Sequence, residues 1–247
     1  MNRWVFDLGN SRLKCAPLEL DGSLGEVVAL AHDNDAFVEN LRQALPDRAD
    51  SACLASVASP ALTLAVVETL TGRFQRISLA RSSAQLAGVR IAYAEPERLG
   101  VDRFLALLAA HARRKQCWLI AGVGTALTLD LLDGDGRHHG GRIAPSPRLM
   151  REALHAAAAQ LPAQGGSFEE FASDSADALA SGCDGAALGL IERSVYQAGK
   201  MLGKAPALLL HGGGADALAP HLPDAVRAPS LVLEGLAMWS RAGATRV

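Results

Sequence analysis

The sequence predicts an α/β fold in which one structural unit occurs twice, with a cleft between the two copies. Apolar runs of strand length alternate with helical segments in both halves of the chain. Each half opens with a strand that runs into a turn of small residues, at 7–11 and at 122–125. At 247 residues the chain also exceeds the usual size of one domain, so we predict a boundary between 1–114 and 115–247.

The first half begins with three short apolar segments, which we assign to strands at 4–8, 13–20 and 25–31. The turn pair Asp21-Gly22 separates the second strand from the third. A helix over 35–45 follows, and Pro46 ends it because proline cannot continue a helix. The remaining predicted elements of this half are a strand at 52–57, a helix at 60–72 with proline in its first turn, and a helix at 102–114.

The second half repeats this order of three strands first. Its predicted elements are strands at 117–121, 126–132 and 137–143, helices at 148–159 and 176–202, a strand at 207–210, a short helix from 215 and a last helix at 231–241. The long helix contains Gly182, Gly185 and Gly189, and each glycine costs up to about 1 kcal/mol relative to alanine. They indicate either that a backbone or a ligand approaches closely there, or that tertiary packing rescues a weak helix.

Composition argues against several classes of protein. The 24 basic and 26 acidic residues give a formal net charge of −2, which is too close to neutral for nucleic-acid binding by bulk charge. No stretch approaches the roughly 18 apolar residues of a membrane span. The four cysteines are far apart, and we interpret the pair His138-His139 as part of a solvated hairpin rather than a metal site. We therefore expect a cytoplasmic protein that binds neither nucleic acid nor membranes.

The turn from Asp7 to Lys14 has the residue types of a phosphate site. Gly9 allows a tight turn whose N–H groups, together with the Asn10 amide and the Ser11 hydroxyl, can donate to phosphate oxygens. Asp7 at the strand end can hold magnesium through water, and Lys14 can neutralise phosphate charge. On its own, the segment also fits an ordinary hairpin turn held by an asparagine side chain.

Two more glycine-rich turns follow, at 122–125 and at 210–215. The first of them lacks the third glycine of a dinucleotide-binding fingerprint and runs into a strand rather than a helix. The segment 199–205 lacks the spacing and the hydroxyl of a Walker A loop. We therefore reject both common nucleotide motifs. The three turns, two of which open the two halves, favour another kind of phosphate site.

A fourth feature, Gly100-Val101-Asp102-Arg103, lies at the start of a predicted helix. A carboxylate here can accept the proton of an attacking hydroxyl, and a guanidinium can bind a substrate carboxylate through two hydrogen bonds. The alternative is structural, because acids are favoured at helix N-termini and Arg103 would then be a solvated helix residue.

Together these motifs resemble those of the type III pantothenate kinase family, in order and approximate spacing over nearly the whole chain. The resemblance rests on Asp7-x-Gly-Asn-Ser-x-x-Lys14, Gly100-Val-Asp-Arg103, Gly124-Thr-Ala126, Gly140-Gly-Arg-Ile143 and Gly212-Gly213. That family belongs to the superfamily of acetate and sugar kinases, chaperones and actin. The resemblance implies two ribonuclease-H-like lobes of duplicated βββαβα type with ATP in the cleft. It also implies ATP-dependent phosphorylation of pantothenate, the first step of coenzyme A synthesis, by a homodimer that uses magnesium and a monovalent cation.

The resemblance also implies roles for individual residues. The implied ATP-binding residues are Asp7, Gly9, Asn10, Ser11, Arg12, Lys14, Thr125, Gly212 and Gly213. The implied pantothenate pocket consists of Tyr93, Gly100, Val101, Asp102, Arg103 and Ser175, with Asp102 as the proton acceptor. Asp7 is the candidate magnesium ligand, and Asp130 is either a second one or a structural acid in its strand.

The chain departs from the family pattern at a few positions. Gly122 stands where an aspartate helps to bind the monovalent cation, K⁺ or NH₄⁺. Either backbone carbonyls and groups of another chain hold the cation, or the dependence on it is weakened. The chain also has Asp174 where the family has an asparagine, Ser146 where glycine is common and His211 where threonine is common. These differences affect the rim of the substrate site.

Two other functions stay open on the sequence alone. A non-catalytic transcription accessory protein on the same ATP fold would lack the base or a phosphate loop, yet Asp7, Lys14, Asp102 and Arg103 are all present. Another small-molecule kinase of the superfamily, for a sugar or acetate, is disfavoured by the short chain and by the Gly100–Arg103 element.

Overall fold

A computed structural model describes residues 2–34 and 36–244, with side chains described as far as residue 242. Contacts divide the chain into two compact units. The first comprises the described parts of 1–115, 135–138 and 230–247, and the second comprises 116–134 and 139–229. From the sequence we predict one boundary, at 114/115. The contacts instead assign 135–138 and the described part of 230–247 to the first unit as well.

A five-stranded sheet forms the centre of the first unit. Its strands are β1 (Arg3–Leu8), β2 (Arg12–Leu18), β3 (Val28–Ala31), β4 (Ala49–Ser56) and β5 (Phe74–Leu79), in the order β3-β2-β1-β4-β5. β2 runs antiparallel to β1 and β3, whereas β4 runs parallel to β1 and β5. The other elements of this unit that precede residue 115 are α1 (Phe37–Ala44), α2 (Pro60–Thr71), the small hairpin of β6 (Gln85–Leu86) and β7 (Val89–Arg90), and α3 (Val101–Arg113).

The second unit is built in the same way. Its strands are β8 (Trp118–Val123), β9 (Ala126–Leu132), β10 (His138–Pro145), β11 (Ala207–His211) and β12 (Val226–Arg227), in the order β10-β9-β8-β11-β12. Its helices are α4 (Pro147–Ala157), α5 (Ser175–Leu202) and α6 (Ala215–Leu218). In both units the strands stand in the order third, second, first, fourth, fifth. The predicted duplicated α/β fold class is thereby confirmed.

Each sheet has its own apolar core. In the first unit, Phe6 of β1 and Leu13 of β2 pack in one cluster with Leu41 of α1 and Leu70 of α2. In the second unit, a separate cluster joins Leu119, Ala121, Leu129, Ile191 and Leu218, from β8, β9, α5 and α6. Full burial of one such leucine or phenylalanine side chain stabilises a fold by about 1.5–3 kcal/mol. These cores fix the strand ends from which the candidate site residues extend.

The last helix, α7 (Leu231–Ala244), belongs to the first unit and packs on α3. A Cβ added at Gly235 would overlap the backbone of Leu105 in α3. Glycine is therefore required at this crossing. In contrast, a Cβ at Gly182, Gly185 or Gly189 of α5 would meet no atom of the described chain within 4 Å.

Several element boundaries differ from the predictions by one to three residues. The helix predicted over 35–45 begins at Phe37, and position 35 lies outside the described residues. β5 and β12 were not predicted. β5 is largely exposed or half-buried, and β12 has only two residues, both exposed, so neither gives a clear apolar pattern. Within the described ranges, no helix is long and apolar enough to span a membrane.

Candidate functional site

The hairpin between β1 and β2 forms the first predicted phosphate turn. Asp7 lies opposite Lys14 in the antiparallel register. The Gly9 N–H donates to the Arg12 carbonyl oxygen at 3.0 Å and closes the turn. Residues 10–12 are exposed at its tip, while Asp7 and Lys14 are half-buried at its base. The turn thus presents polar side chains above a carboxylate and an ammonium group.

A histidine that the sequence reasoning missed supports this turn. A ring nitrogen of His32 lies 2.9 Å from the carbonyl oxygen of Gly9. His32 follows β3, which pairs with β2, so the sheet register brings it to the turn. Twenty-three positions separate the two residues along the chain. No local sequence pattern could have revealed this contact.

Two carboxyl groups of the first unit, those of Asp7 and Asp102, influence each other. Burial and, to a lesser extent, the charge of Asp102 raise the pKa of Asp7 to about 7, although Lys14 acts in the opposite direction. Carboxylate oxygens are ligands that Mg²⁺ prefers, and this ion commonly takes one or two protein carboxylates with its other ligands from phosphate and water. Asp7 could supply one such carboxylate. No cluster of three or more metal-ligating side chains occurs in the part of the chain that is described.

The N-terminus of α3 orients Asp102. Gly100 is the N-cap residue, and the Oδ1 atom of Asp102 accepts a hydrogen bond from the backbone N–H of Arg103 at 2.8 Å. A Cβ at residue 100 would lie 2.7 Å from that same oxygen atom. Glycine at position 100 therefore leaves the space that the Asp102 carboxylate occupies.

Arg103 is buried, with 6% of its surface exposed. Its Nη1 atom donates to the hydroxyl oxygen of Tyr93 at 3.2 Å, and its Cζ atom lies 5.9 Å from the centroid of the Tyr93 ring. The alternative of a solvated helix residue is therefore excluded. A guanidinium withdrawn from water and held by an aromatic hydroxyl can bind a carboxylate strongly.

The hairpin between β8 and β9 forms the second predicted turn, in the second unit. The Gly124 N–H donates to the Ala126 carbonyl oxygen at 2.9 Å, and Thr125 is half-buried between them. The first turn is also closed by a glycine N–H that donates to a later carbonyl oxygen, but there the acceptor is three residues further along the chain, whereas here it is two. At the start of this turn, Gly122 lies in β8 opposite Thr128 of β9.

The third turn, at Gly212 and Gly213, lies directly beside the second. β11 runs parallel to β8, and the Gly214 N–H donates to the carbonyl oxygen of Val123 at 2.9 Å. Gly212 has a φ of 96° and abuts the backbone of Val123, so a side chain here would be both strained and obstructed. The second unit therefore brings together Thr125 and the two glycines that are predicted to bind ATP.

The departures from the family pattern at Gly122 and His211 are structurally linked. These residues are partners in the β8–β11 register. A Cβ at position 122 would lie 2.7 Å from Oγ1 of Thr128 and 2.8 Å from Nε2 of His211. An aspartate at position 122 would require His211 to move.

The other predicted residues of the second unit are Asp130 and Ser175. Asp130 is buried within β9, two residues before the strand ends. Ser175 is the exposed first residue of α5. Asp174 caps this helix, since its Oδ1 atom accepts from the N–H groups of Asp177 and Ala176. These bonds lower the pKa of Asp174, and the aspartate at this position thus serves as an ordinary helix cap.

The interpretation of His138-His139 as a solvated hairpin was wrong for His138. Its side chain is buried, with 1% exposed, because residues 135–138 pack with the first unit. Its ring stacks on that of Tyr93. His139 is half-buried, and its Nε2 atom lies 2.8 Å from an oxygen of Asp133.

Comparison with known proteins identifies the family. A sequence model of the type III pantothenate kinase family matches residues 4–197. The type III pantothenate kinase of Stenotrophomonas maltophilia (strain K279a) is 60% identical over 240 residues, which are 97% of this chain and 98% of that protein.

Solved structures agree on the fold. A protein described as a Baf family transcriptional activator, from Campylobacter jejuni, superposes with a TM-score of 0.65 at 17% identity, over 98% of this chain and 99% of that one. An archaeal actin homologue superposes with a TM-score of 0.52 at 10% identity, over the full length of both chains. At such low identities these likenesses concern the fold alone. The family match and the full-length sequence similarity show that the chain belongs to the type III pantothenate kinase family.

Proposed function

We propose that this protein phosphorylates pantothenate with ATP, the first step of coenzyme A synthesis. The observation that carries the proposal is the arrangement at the N-terminus of α3 in a member of this family. There a carboxylate, Asp102, is held beside a buried guanidinium, Arg103. Pantothenate has a primary alcohol and a carboxylate, which are the two groups that such a pair can address.

In the proposed reaction, Arg103 binds the carboxylate of pantothenate and Asp102 accepts the proton of its primary hydroxyl. The hydroxyl oxygen attacks the γ-phosphorus of ATP, the bond to the bridging oxygen breaks, and ADP leaves. Lys14, the Thr125 turn and the Gly212 turn bind the phosphates and the adenosine. Phosphoryl transfer depends mainly on such positioning and on charge neutralisation. Mg²⁺, held by Asp7 with Asp102 nearby, would supply positive charge to the phosphate oxygens.

The decisive measurement is ADP release with pantothenate, a hexose or acetate as the acceptor. We expect release with pantothenate only. Asp102→Asn should lower kcat at least about 100-fold, because a general base usually contributes 10²- to 10⁴-fold. The KM for ATP should stay within about twofold. Glu97→Gln, at an exposed acid five residues earlier, is the matched control. Absence of pantothenate-dependent ADP refutes the function, and a fully active Asp102→Asn variant removes Asp102 from the mechanism.

We further propose a weakened requirement for the monovalent cation. The reason is that position 122 has no carboxylate, and the side chains of His211 and Thr128 occupy the space that a side chain there would need. The rate at constant ionic strength should change less than about twofold when K⁺ is replaced by a bulky organic cation. A loss of activity without K⁺ would instead mean that backbone carbonyls, or groups of another chain, hold the ion. We also propose that the protein acts as a cytoplasmic homodimer.

A further inference from the structure

His138 is buried, with 1% of its surface exposed, and its ring stacks on that of Tyr93. The two rings are nearly parallel, with an interplanar angle of 9° and a centroid separation of 6.2 Å. Aromatic pairs in this distance range attract each other. The Nδ1 atom of His138 also accepts a hydrogen bond from the backbone N–H of Ala92, at 3.4 Å. The histidine thus contacts both the ring of Tyr93 and the backbone that precedes it.

Tyr93 also contacts Arg103, which belongs to the candidate substrate site. Its hydroxyl oxygen accepts from Nη1 of Arg103, and the guanidinium carbon lies 5.9 Å from the ring centroid. The position of the ring therefore helps to fix where one N–H of the guanidinium points. A guanidinium binds a carboxylate well only when two N–H groups match both oxygens, so its orientation affects affinity.

From these contacts we propose that His138 is a positioning residue, which orients the Arg103 guanidinium through the ring of Tyr93. The inference rests on the proposed function, in which Arg103 binds the carboxylate of pantothenate. His138 itself does not touch the substrate in this proposal. Its effect should therefore fall on the binding of the acid substrate and leave the ATP site unchanged.

Two substitutions separate the contributions of the histidine. His138→Asn keeps an acceptor near the position of Nδ1 but removes the ring, whereas His138→Phe keeps a planar ring but removes the acceptor. Ala92 is exposed, so water can replace the acceptor in the second variant. His139→Asn, at the adjacent residue whose partner is Asp133, is the matched control. KM values for pantothenate and for ATP are measured for each purified, folded variant.

We expect His138→Asn to raise the KM for pantothenate about three- to tenfold, the range that corresponds to one aromatic pair. The KM for ATP should change less than about twofold, and His138→Phe and His139→Asn should resemble the wild type. An unchanged pantothenate KM in His138→Asn, or an equal rise in both KM values, overturns the inference alone. A wild-type protein without pantothenate-dependent ADP release overturns the proposed function and this inference with it.

Tyr93→Phe tests the second contact and does not depend on the stability of a His138 variant. It keeps the ring that stacks on His138 but removes the hydroxyl that accepts a hydrogen bond from Arg103. We expect a rise in pantothenate KM of similar size, and little further rise when His138→Asn is added, because the two residues act in series. A fully additive effect of the two substitutions, or an unchanged KM in Tyr93→Phe, contradicts the proposed coupling.

Discussion

At the residue scale, Asp7, the proposed magnesium ligand, carries a cost to stability. Its pKa rises from an ordinary value of 3.8 to about 7, first through burial and then through the charge of Asp102. The folded protein therefore binds this proton more tightly than the unfolded chain does. Between about pH 4 and pH 7 the unfolded chain loses the proton first, so the free energy of unfolding falls as the pH rises through this range.

Asp7→Asn should therefore stabilise the apoprotein at pH 8 and have little effect at pH 4. Three pKa units set an upper limit of about 4 kcal/mol for the gain. Urea unfolding at both pH values, without nucleotide or metal, measures it. Asp33→Asn, at an exposed acid, is the control. An equal gain at both pH values would show that the charge of Asp7 is not the cause.

The types of several candidate site residues could be predicted from local sequence, because each lies in a short motif next to a strand end or a helix start. Asp102 and Arg103 are examples. His32 and His138 could not be found in this way. Each reaches its partner only through the pairing of strands or the packing of a turn from another part of the chain. Contacts of this kind require the fold first.

At the scale of elements, α3 and α7 cross in close contact. Gly235 of α7 lies against the backbone of Leu105, which cannot be displaced without moving α3. Overpacking a core typically costs 1–3 kcal/mol or more. The crossing thus fixes α3, the helix whose first turn holds Asp102 and Arg103.

We expect Gly235→Ala to lower the free energy of unfolding by at least about 2 kcal/mol, as measured by denaturant unfolding. Gly182→Ala makes the same chemical change in α5, where nothing in the described chain lies within 4 Å. That substitution should raise stability by up to about 1 kcal/mol, since alanine favours helix. Equal effects of the two substitutions would contradict the assigned packing.

The sequence predicted the central strands and long helices because their apolar patterns are strong. β8 is buried at every position, and β1 is the central strand of its sheet. The outer strands β5 and β12 were missed because one face or both faces contact water. Strand order could not be predicted from these patterns either. It depends on which edges pair, and periodicity does not record pairing.

At the scale of the whole molecule, we expect sedimentation equilibrium at micromolar concentration to give twice the mass of one chain. Apolar side chains such as those of Phe171 and Met201 are largely exposed in the single chain. Association of two copies would withdraw surface of this kind from water. A mass equal to that of one chain under these conditions would exclude the homodimer.

The first unit consists mainly of chain segments before residue 116 and after residue 229, and the whole second unit is encoded between them. During synthesis, α7 leaves the ribosome after all of 1–229. All of 116–229 is therefore available to fold while the earlier-made first unit still lacks the helix that covers α3. Domains generally fold as units as they emerge, but here the segment made first becomes complete last. A nascent chain thus acquires its full α3 packing, and with it a fixed Asp102, only after 231–244 have left the ribosome.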